Sequence, residues 1–166
     1  MECNNKAPLL RISGVISESI VDGPGFRYVV FTQGCPHGCP GCHNPQTHDF
    51  NGGTLIDPLT LLPEIDENPL LAGVTFSGGE PFVQPEALLP LAREIKARGL
   101  HLLIFSGYTY EQLTDLMTTR EAIGELLKLC DTLIDGPFLL EQRDLTLQFR
   151  GSANQRILQL KNGQII

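Results

Sequence analysis

The chain has 166 residues with 12 basic and 19 acidic side chains, so its formal net charge at pH 7 is −7. This acidic balance argues against a protein whose main task is to bind nucleic acid or an anionic membrane, because both need clustered positive charge. Hydrophobic residues make up 42% and charged residues 19% of the chain, which excludes a disordered protein and predicts a single domain over residues 1–166.

The sequence also bears on the compartment. No stretch approaches the roughly 18 consecutive apolar residues that a membrane helix requires. Residues 1–6 show no apolar run behind a basic start, so no secretory signal is visible. We therefore expect a cytoplasmic protein with reduced thiols. Five cysteines, an odd number, also fit poorly with a fully disulfide-bonded scaffold.

The first predicted elements are two strands, 9–16 and 26–32, joined by a turn at 21–25. The turn reads Val-Asp-Gly-Pro-Gly, which predicts a simple connection between the strands. A long loop, 33–53, follows the second strand and is rich in Gly, Pro, Cys and His. A structureless loop of this length is uncommon unless it is functional. Something other than an apolar core must hold it, and a metal centre is one way to do so.

Beyond this loop, helices and strands alternate. The predicted helices are 55–67, 86–98, 110–117 and 120–129, and the predicted strands are 72–76, 100–105, 132–134 and 156–160. Pro90 is acceptable in its helix only within the first turn, since proline lacks the N–H that later turns require. Such alternation predicts parallel βαβ units. A full (β/α)8 barrel needs about 250 residues, so we expect an α/β fold built as an open partial barrel of about five or six βα units.

Four segments follow predicted strands and are rich in polar residues or glycine. They are the cysteine loop, Gly78-Gly79-Glu80, Ser106-Gly107-Tyr108 and Asp135-Gly136-Pro137. In parallel α/β folds the chemistry lies in the loops after the C-terminal ends of the strands. We therefore expect these four segments to meet at one edge of the sheet.

Three cysteines, Cys35, Cys39 and Cys42, have the spacing C-x3-C-x2-C. Three thiolates on one loop can bind a compact inorganic centre, and three interpretations remain open. A zinc site would add one of the loop's three histidines. A disulfide with a spare thiol fits poorly with the missing secretory signal. A [4Fe–4S] cluster normally has four cysteine ligands, so three would leave one iron open to an exogenous ligand.

The motifs, taken in order, resemble the radical S-adenosylmethionine (SAM) superfamily, in which C-x3-C-x2-C precedes a Gly-Gly-Glu-Pro turn such as that at 78–81. Segments 22–27 and 33–35 and the sequence Cys-His-Asn-Pro at 42–45 resemble the activating enzymes of glycyl radical enzymes. The segments that resemble one branch, which acts on anaerobic (class III) ribonucleotide reductase, are 106–110, 135–138 and 149–156. The alternatives are an activating enzyme for a pyruvate formate-lyase-like protein and a zinc-stabilised interaction module.

The resemblance implies a [4Fe–4S] cluster and SAM as cofactors, with Cys35, Cys39 and Cys42 as the metal ligands and catalytic residues. It implies that SAM binds the open iron and is cleaved to methionine and a 5′-deoxyadenosyl radical. That radical abstracts a hydrogen from a glycine of the partner. The implied partners are the large subunit of anaerobic ribonucleotide reductase and a flavodoxin-like or other low-potential electron donor.

The resemblance also implies a set of SAM contacts. Gly78 and Gly79 expose their backbone to the methionine moiety. Glu80 accepts hydrogen bonds from the SAM ammonium group. Ser106 and Tyr108 line the ribose or the adenine.

Gly41 stands where members of the superfamily often carry an aromatic residue, so we expect backbone contacts with SAM from Gly41, Cys42 and His43. The sequence leaves three other roles open. Asp135 either binds a cation or caps a loop, and Arg150 and Arg156 either dock the partner or brace the last strand.

The remaining histidines and cysteines are expected to be structural. His37 and His48 are interpreted as loop residues and His101 as a structural residue on a strand. Cys130 precedes an apolar strand and is expected to be a small buried side chain, whereas Cys3 is isolated.

Overall fold

The computed structural model describes residues 7–166, so Cys3 lies outside the described range. The strands are β1 (Leu10–Ser19), β2 (Phe26–Thr32), β3 (Thr54–Ile56), β4 (Leu71–Gly78), β5 (His101–Phe105), β6 (Thr132–Asp135), β7 (Arg156–Lys161) and β8 (Gln164–Ile165). The α-helices are α1 (Leu62–Glu67), α2 (Pro85–Ala97), α3 (Tyr110–Leu116) and α4 (Glu121–Leu129). Short 3-10 turns occupy Pro45–Thr47, Pro58–Leu61, Pro81–Val83 and Leu140–Gln142.

The strands form one mixed sheet in the order β3-β1-β2-β4-β5-β6-β7-β8. The pairs β2–β4, β4–β5 and β5–β6 are parallel. Antiparallel strands flank this centre, β1 and β3 on one side and β7 and β8 on the other. The mixed α/β fold is thus confirmed. The described range holds fewer parallel units than the five or six expected, because the first and last strands return antiparallel.

Most predicted elements lie within a few residues of their observed ends, with two corrections. The predicted helix 55–67 begins with a strand, because Thr54–Ile56 pairs with Leu10–Ile12 along the edge of β1. A helical conformation starts only after Asp57, whose carboxylate accepts a hydrogen bond from the Leu59 N–H.

The second correction concerns Pro90, which lies inside α2 beyond its first turn. α2 buries Leu88, Leu91 and Ile95 against the sheet, and this packing offsets the backbone hydrogen bond that proline cannot make. In residues 7–166 no helix has the length and apolar character needed to cross a membrane.

The sheet has two differently covered faces. Tyr28, Val30, Phe76 and Ile104 pack with the helices in the main core. Alternate residues on the same strands, such as Leu103, are buried on the opposite face. There the turn that joins β1 to β2 lies against the sheet. A side chain at Gly23 in this turn would meet Arg27 at 2.6 Å and Leu103 at 3.0 Å.

Arg27 is the largest fully buried side chain of the described range. Its guanidinium donates to the carbonyls of Pro24, Val74 and His101 and to the Thr75 hydroxyl. Burial lowers the pKa of Arg27 to about 10, which still leaves it charged at neutral pH. This cation therefore ties the β1–β2 turn to the middle of β4 and to the first residue of β5.

Replacing Arg27 with methionine is expected to lower the free energy of unfolding by about 2 to 4 kcal/mol, because three carbonyls and a hydroxyl lose a buried donor. Urea unfolding followed by circular dichroism measures the change. Arg93→Met is the control, since Arg93 is exposed on α2 and its loss is expected to change stability by less than about 0.5 kcal/mol. Equal losses in the two variants would contradict the role assigned to the buried guanidinium.

Candidate functional site

A cavity of about 410 Å³ opens at the C-terminal ends of the parallel strands. All four predicted segments reach this edge of the sheet. The cavity is bordered by Cys35, Cys39 and Cys42 from the cysteine loop, by Gly78, by Ser106 and by Gly136. Its volume lies within the range of small-molecule sites. The prediction that strand-end segments converge on one site is therefore confirmed.

The cysteine loop is ordered by its own backbone. The Gly34 N–H donates to the Thr47 carbonyl at 2.7 Å, and the Cys35 N–H donates to the His48 carbonyl at 3.3 Å. The Cys42 N–H donates to the Cys39 carbonyl at 3.1 Å, which closes a tight turn between the second and third cysteines. The loop thus returns on itself, and all three of its cysteines border the cavity.

Gln33, which the sequence did not single out, supports this loop from inside. It is buried directly after β2, and its amide donates to the carbonyls of Gln46 and Asp49 at 3.0 and 2.7 Å. Gln84 donates to the Gln33 carbonyl, and the Arg11 guanidinium donates to the Gly52 carbonyl. The expectation that something other than an apolar core holds the loop is therefore confirmed, since these hydrogen bonds fix its backbone.

The three loop cysteines are free and half-buried, so no disulfide joins them in the described range. Burial raises the pKa of the Cys35 thiol to about 11, although the His37 N–H partly offsets this effect. Binding a metal at Cys35 must therefore release a proton. Among residues 7–166, no three or more His, Cys, Asp or Glu side chains converge on a position for one metal ion. Three free thiols at the border of one cavity suit an iron–sulfur cluster, whose usual ligands are thiolates.

Gly78 and Gly79 both line the cavity, and the protein itself explains why both are glycine. Gly78 has φ +93°, and a Cβ there would lie 2.6 Å from the Thr32 backbone. A Cβ on Gly79 would lie 2.4 Å from the Gly34 carbonyl oxygen. The Gly79 N–H donates to the Thr32 carbonyl at 2.8 Å. The two glycines thus let the end of β4 contact the cysteine loop directly.

Glu80 is fully buried behind the cavity wall. Its carboxylate accepts hydrogen bonds from the Phe82 N–H at 3.0 Å, the Gly107 N–H at 2.8 Å and the Ser106 hydroxyl at 2.9 Å. His37 Nε2 lies 2.6 Å from Glu80 Oε2. Glu80 therefore joins the ends of β4 and β5 to the cysteine loop. Glu80 does not border the cavity, so its contact with the SAM ammonium group stays a prediction.

The other predicted SAM contacts differ in their position. His43 borders the cavity, and its ring centroid lies 5.2 Å from that of Phe138. Tyr108 lies behind the wall, with its ring edge-on to His37 at 4.5 Å. Gly41 packs against the segment after β6, where an added Cβ would meet Leu140 at 2.9 Å. Gly41 also has φ +75°, a left-handed conformation that favours glycine over an aromatic residue.

The structure distinguishes the three residues whose roles the sequence left open: two make structural contacts and one borders the cavity. Asp135 is buried and accepts hydrogen bonds from the Tyr110 N–H at 2.7 Å and from Arg156 Nε at 3.0 Å, so it caps the start of α3. Arg156 also pairs with Glu111 and thereby braces β7. Arg150 instead borders the cavity.

Of the residues expected to be structural, Cys130 and His101 lie away from the cavity, whereas His37 and His48 border it. Cys130 is buried, and its thiol donates to the Thr132 carbonyl at 3.1 Å. His101 lies beside Arg27, 3.0 Å from its guanidinium, at the opposite end of the sheet from the cavity. Burial and the neighbouring Arg27 charge both lower the pKa of His101.

Two other cavity residues were not found by sequence reasoning. Asp22 enters the cavity from the turn between β1 and β2, and its carbonyl accepts a hydrogen bond from the Thr75 hydroxyl at 2.8 Å. Phe149 borders the cavity with φ 60°, a left-handed conformation that is costly for an aromatic residue. The Asp-Gly-Pro-Gly signal identified the turn but not its position over the sheet.

Comparison with known proteins identifies a family and several relatives that agree with one another. The family model described as "4Fe-4S single cluster domain" matches residues 21–158. An anaerobic ribonucleoside-triphosphate reductase-activating protein from Haemophilus influenzae is 32% identical over 86% of this chain and 93% of the relative. The protein of the same name from Vibrio cholerae is 34% identical over 83% of this chain and 90% of the relative.

Two further matches are partial. A pyruvate formate-lyase-activating enzyme from Clostridium pasteurianum is 40% identical over 68% of this chain, which corresponds to 50% of that enzyme. Among solved structures, QueE from Escherichia coli aligns with 61% of this chain and 54% of its own, with a TM-score of 0.48 and 21% identity.

The contact between Gly79 and Gly34 predicts a strong effect of one methyl group. Gly79→Ala is expected to lower the free energy of unfolding by about 1 to 3 kcal/mol and to speed alkylation of Cys35, because the backbone beside that cysteine must move. Urea unfolding and mass spectrometry of alkylated peptides measure both effects. Gly14→Ala is the control, since a Cβ at Gly14 meets nothing within 4 Å. Matching behaviour of the two variants would refute the close packing of these loops.

Proposed function

The chain belongs to the 4Fe-4S single cluster domain family and to the anaerobic ribonucleoside-triphosphate reductase-activating proteins, and from this premise we propose that it is a radical SAM enzyme that generates the glycyl radical of anaerobic ribonucleotide reductase. The similarity to two such activating proteins over nearly their whole length supports this function. The observation that carries the proposal is the convergence of Cys35, Cys39 and Cys42 on one cavity.

In this proposal Cys35, Cys39 and Cys42 hold a [4Fe–4S] cluster as thiolates, and SAM occupies the adjoining cavity. When bound, the reduced cluster supplies the electron that cleaves SAM to methionine and the 5′-deoxyadenosyl radical needed to remove a hydrogen atom from a glycine. Three thiol donors and a cavity of about 410 Å³ fit these groups.

The protein's own residues set the shape of this site. Glu80 fixes the Ser106–Gly107 turn and the His37 ring, so that the cysteine loop and the end of β5 keep a constant separation. Gly78 and Gly79 allow the end of β4 to approach the same loop. His43, which follows the third cysteine, borders the space proposed for SAM. A pre-arranged site of this kind needs little reorganisation when its ligands bind.

The proposal includes the finer predictions on fold and partners. The single domain is proposed to curve as an open partial barrel whose open side is covered by the partner. Val21 borders the cavity and is largely exposed, as is Leu145 in the segment after β6, which suits contact with an apolar surface. The large subunit of anaerobic ribonucleotide reductase is the proposed partner, a flavodoxin-like protein the proposed electron donor, and the cytoplasm the proposed location.

A second candidate is an activating enzyme for a pyruvate formate-lyase-like protein. The 40% identity to the Clostridium pasteurianum enzyme favours it, although this chain spans only half of that relative. Both candidates share the same cofactors and differ only in the protein that supplies the glycine.

Removing one thiol of the cavity tests the proposed cluster ligands. Cys39→Ala is expected to abolish bound iron, acid-labile sulfide and SAM cleavage together after anaerobic reconstitution. Cys130→Ala is the matched control, because this buried cysteine lies outside the loop and its loss is expected to leave the iron content unchanged. Iron and sulfide analysis and chromatographic detection of 5′-deoxyadenosine are the measurements. Substantial cleavage by Cys39→Ala would overturn the ligand assignment.

The identity of the partner is tested with the two candidate substrates. Anaerobic incubation of the reduced protein with SAM and anaerobic ribonucleotide reductase is expected to give the doublet of a glycyl radical in electron paramagnetic resonance. The same mixture with pyruvate formate-lyase is expected to give none. A doublet with pyruvate formate-lyase alone would establish the second candidate instead.

A further inference from the structure

The charged groups of the cavity are few. Among the described residues that border it, Arg150 is the only Lys or Arg and Asp22 is the only Asp or Glu. A ligand with a negatively charged group therefore has one permanently cationic side chain to approach in this wall of the site.

The guanidinium of Arg150 has unused donors. Nη1 donates to the Gln155 carbonyl at 3.2 Å, whereas Nε is buried without a hydrogen-bond partner. Within residues 7–166, no Asp or Glu oxygen lies within the 4.0 Å ion-pair distance of this side chain. Hydrogen bonds from Thr146 are the main cause of the lowered pKa of Asp144, and the charge of Arg150 adds a smaller effect.

Arg156 provides an internal comparison six residues further along the chain. Its guanidinium forms ion pairs with Asp135 and Glu111, so its N–H donors are already used in contacts that stabilise the fold. In contrast, Nη2 of Arg150 makes no hydrogen bond within residues 7–166, so this nitrogen is available to a group that binds in the cavity.

The backbone around Arg150 is fixed firmly enough to position its side chain. Gln155 Oε1 accepts hydrogen bonds from the N–H groups of Gly151 and Ser152 at 2.9 and 3.1 Å. Asn154 donates to the Pro137 carbonyl at 2.7 Å, which joins the segment to the end of β6.

The same segment lies beside the cysteine loop. A Cβ on Gly151 would meet the Phe138 ring at 2.9 Å and the His43 ring at 3.6 Å. His43 directly follows Cys42, so Arg150 is held in a segment that packs next to the third cysteine. The strained φ of 60° at Phe149 immediately precedes it, as is common where a backbone is shaped for function.

We propose that Arg150 binds the α-carboxylate of SAM and thereby orients the methionine moiety next to the cysteine loop. This inference rests on the proposed function. The carboxylate is the only anionic group of SAM, and a guanidinium matches it with two parallel charge-assisted hydrogen bonds. Arg150 is thus a binding and positioning residue.

The test compares SAM with decarboxylated SAM, which lacks only this carboxylate, by anaerobic equilibrium dialysis with the cluster-loaded protein. Arg150→Met is expected to weaken SAM binding by about tenfold to a hundredfold and to change binding of decarboxylated SAM by less than about threefold. Arg143→Met is the matched control, because Arg143 is an exposed arginine of the same segment and does not border the cavity.

Two further variants protect the test against a folding defect. Arg150→Gln removes the charge but keeps a polar side chain with an N–H donor, and it is expected to show the same selective loss. Arg150→Lys keeps the positive charge but lacks the planar guanidinium with its paired donors, and it is expected to recover part of the affinity for SAM. Thermal unfolding and iron content confirm that each variant is folded and loaded.

The outcomes separate this inference from the function on which it rests. Failure of the wild-type protein to bind SAM would remove the proposed function and the role of Arg150 together. Wild-type binding with equal loss of both ligands in Arg150→Met, or with no loss of either, would remove only the role of Arg150. A shift in the cluster's reduction potential with unchanged ligand discrimination would assign Arg150 to the cluster instead and would likewise overturn the inference.

Discussion

The buried carboxylate of Glu80 is the interaction on which the site depends. It lies where the ends of β4 and β5 meet the cysteine loop, and it accepts hydrogen bonds from the Ser106 hydroxyl and the Gly107 N–H while facing His37. Without this carboxylate, several donors would be buried without partners, each at a cost of about 1 to 3 kcal/mol. One side chain therefore holds the separation between the thiols and the opposite wall of the cavity. The glycines before it serve the same end, since only glycine lets the two loops touch.

Much of the fold could be predicted from the sequence, because apolar periodicity and turn residues are local signals. The bounds of β2 are those expected, and the four strand-end segments converge as the rule for parallel sheets requires. The antiparallel edges were not foreseen, since strand direction depends on long-range pairing and not on local pattern. Pro90 was misjudged for the same reason, because burial of one face of α2 outweighs a single missing N–H.

In the candidate site, too, local motifs could be predicted and contacts between distant segments could not. The cysteine spacing and the Gly-Gly-Glu motif are contiguous in sequence, so their importance could be predicted. The sequence did not show that Glu80 lies behind the wall or that Gln33 supports the loop, because these roles arise from contacts between distant segments. The sequence alone does not distinguish the roles of Arg150 and Arg156. They differ only because Asp135 and Glu111 surround one guanidinium and the cavity adjoins the other.

The central claim is that three loop thiols hold a cluster and leave one iron accessible to SAM. The most direct measurement is electron paramagnetic resonance of the anaerobically reconstituted, reduced protein, recorded before and after addition of SAM. The account predicts the signal of a reduced [4Fe–4S] cluster whose shape changes when SAM is added, because the ligand contacts one iron. A signal that SAM leaves unchanged, or a protein that binds zinc and shows no cluster signal, would contradict it.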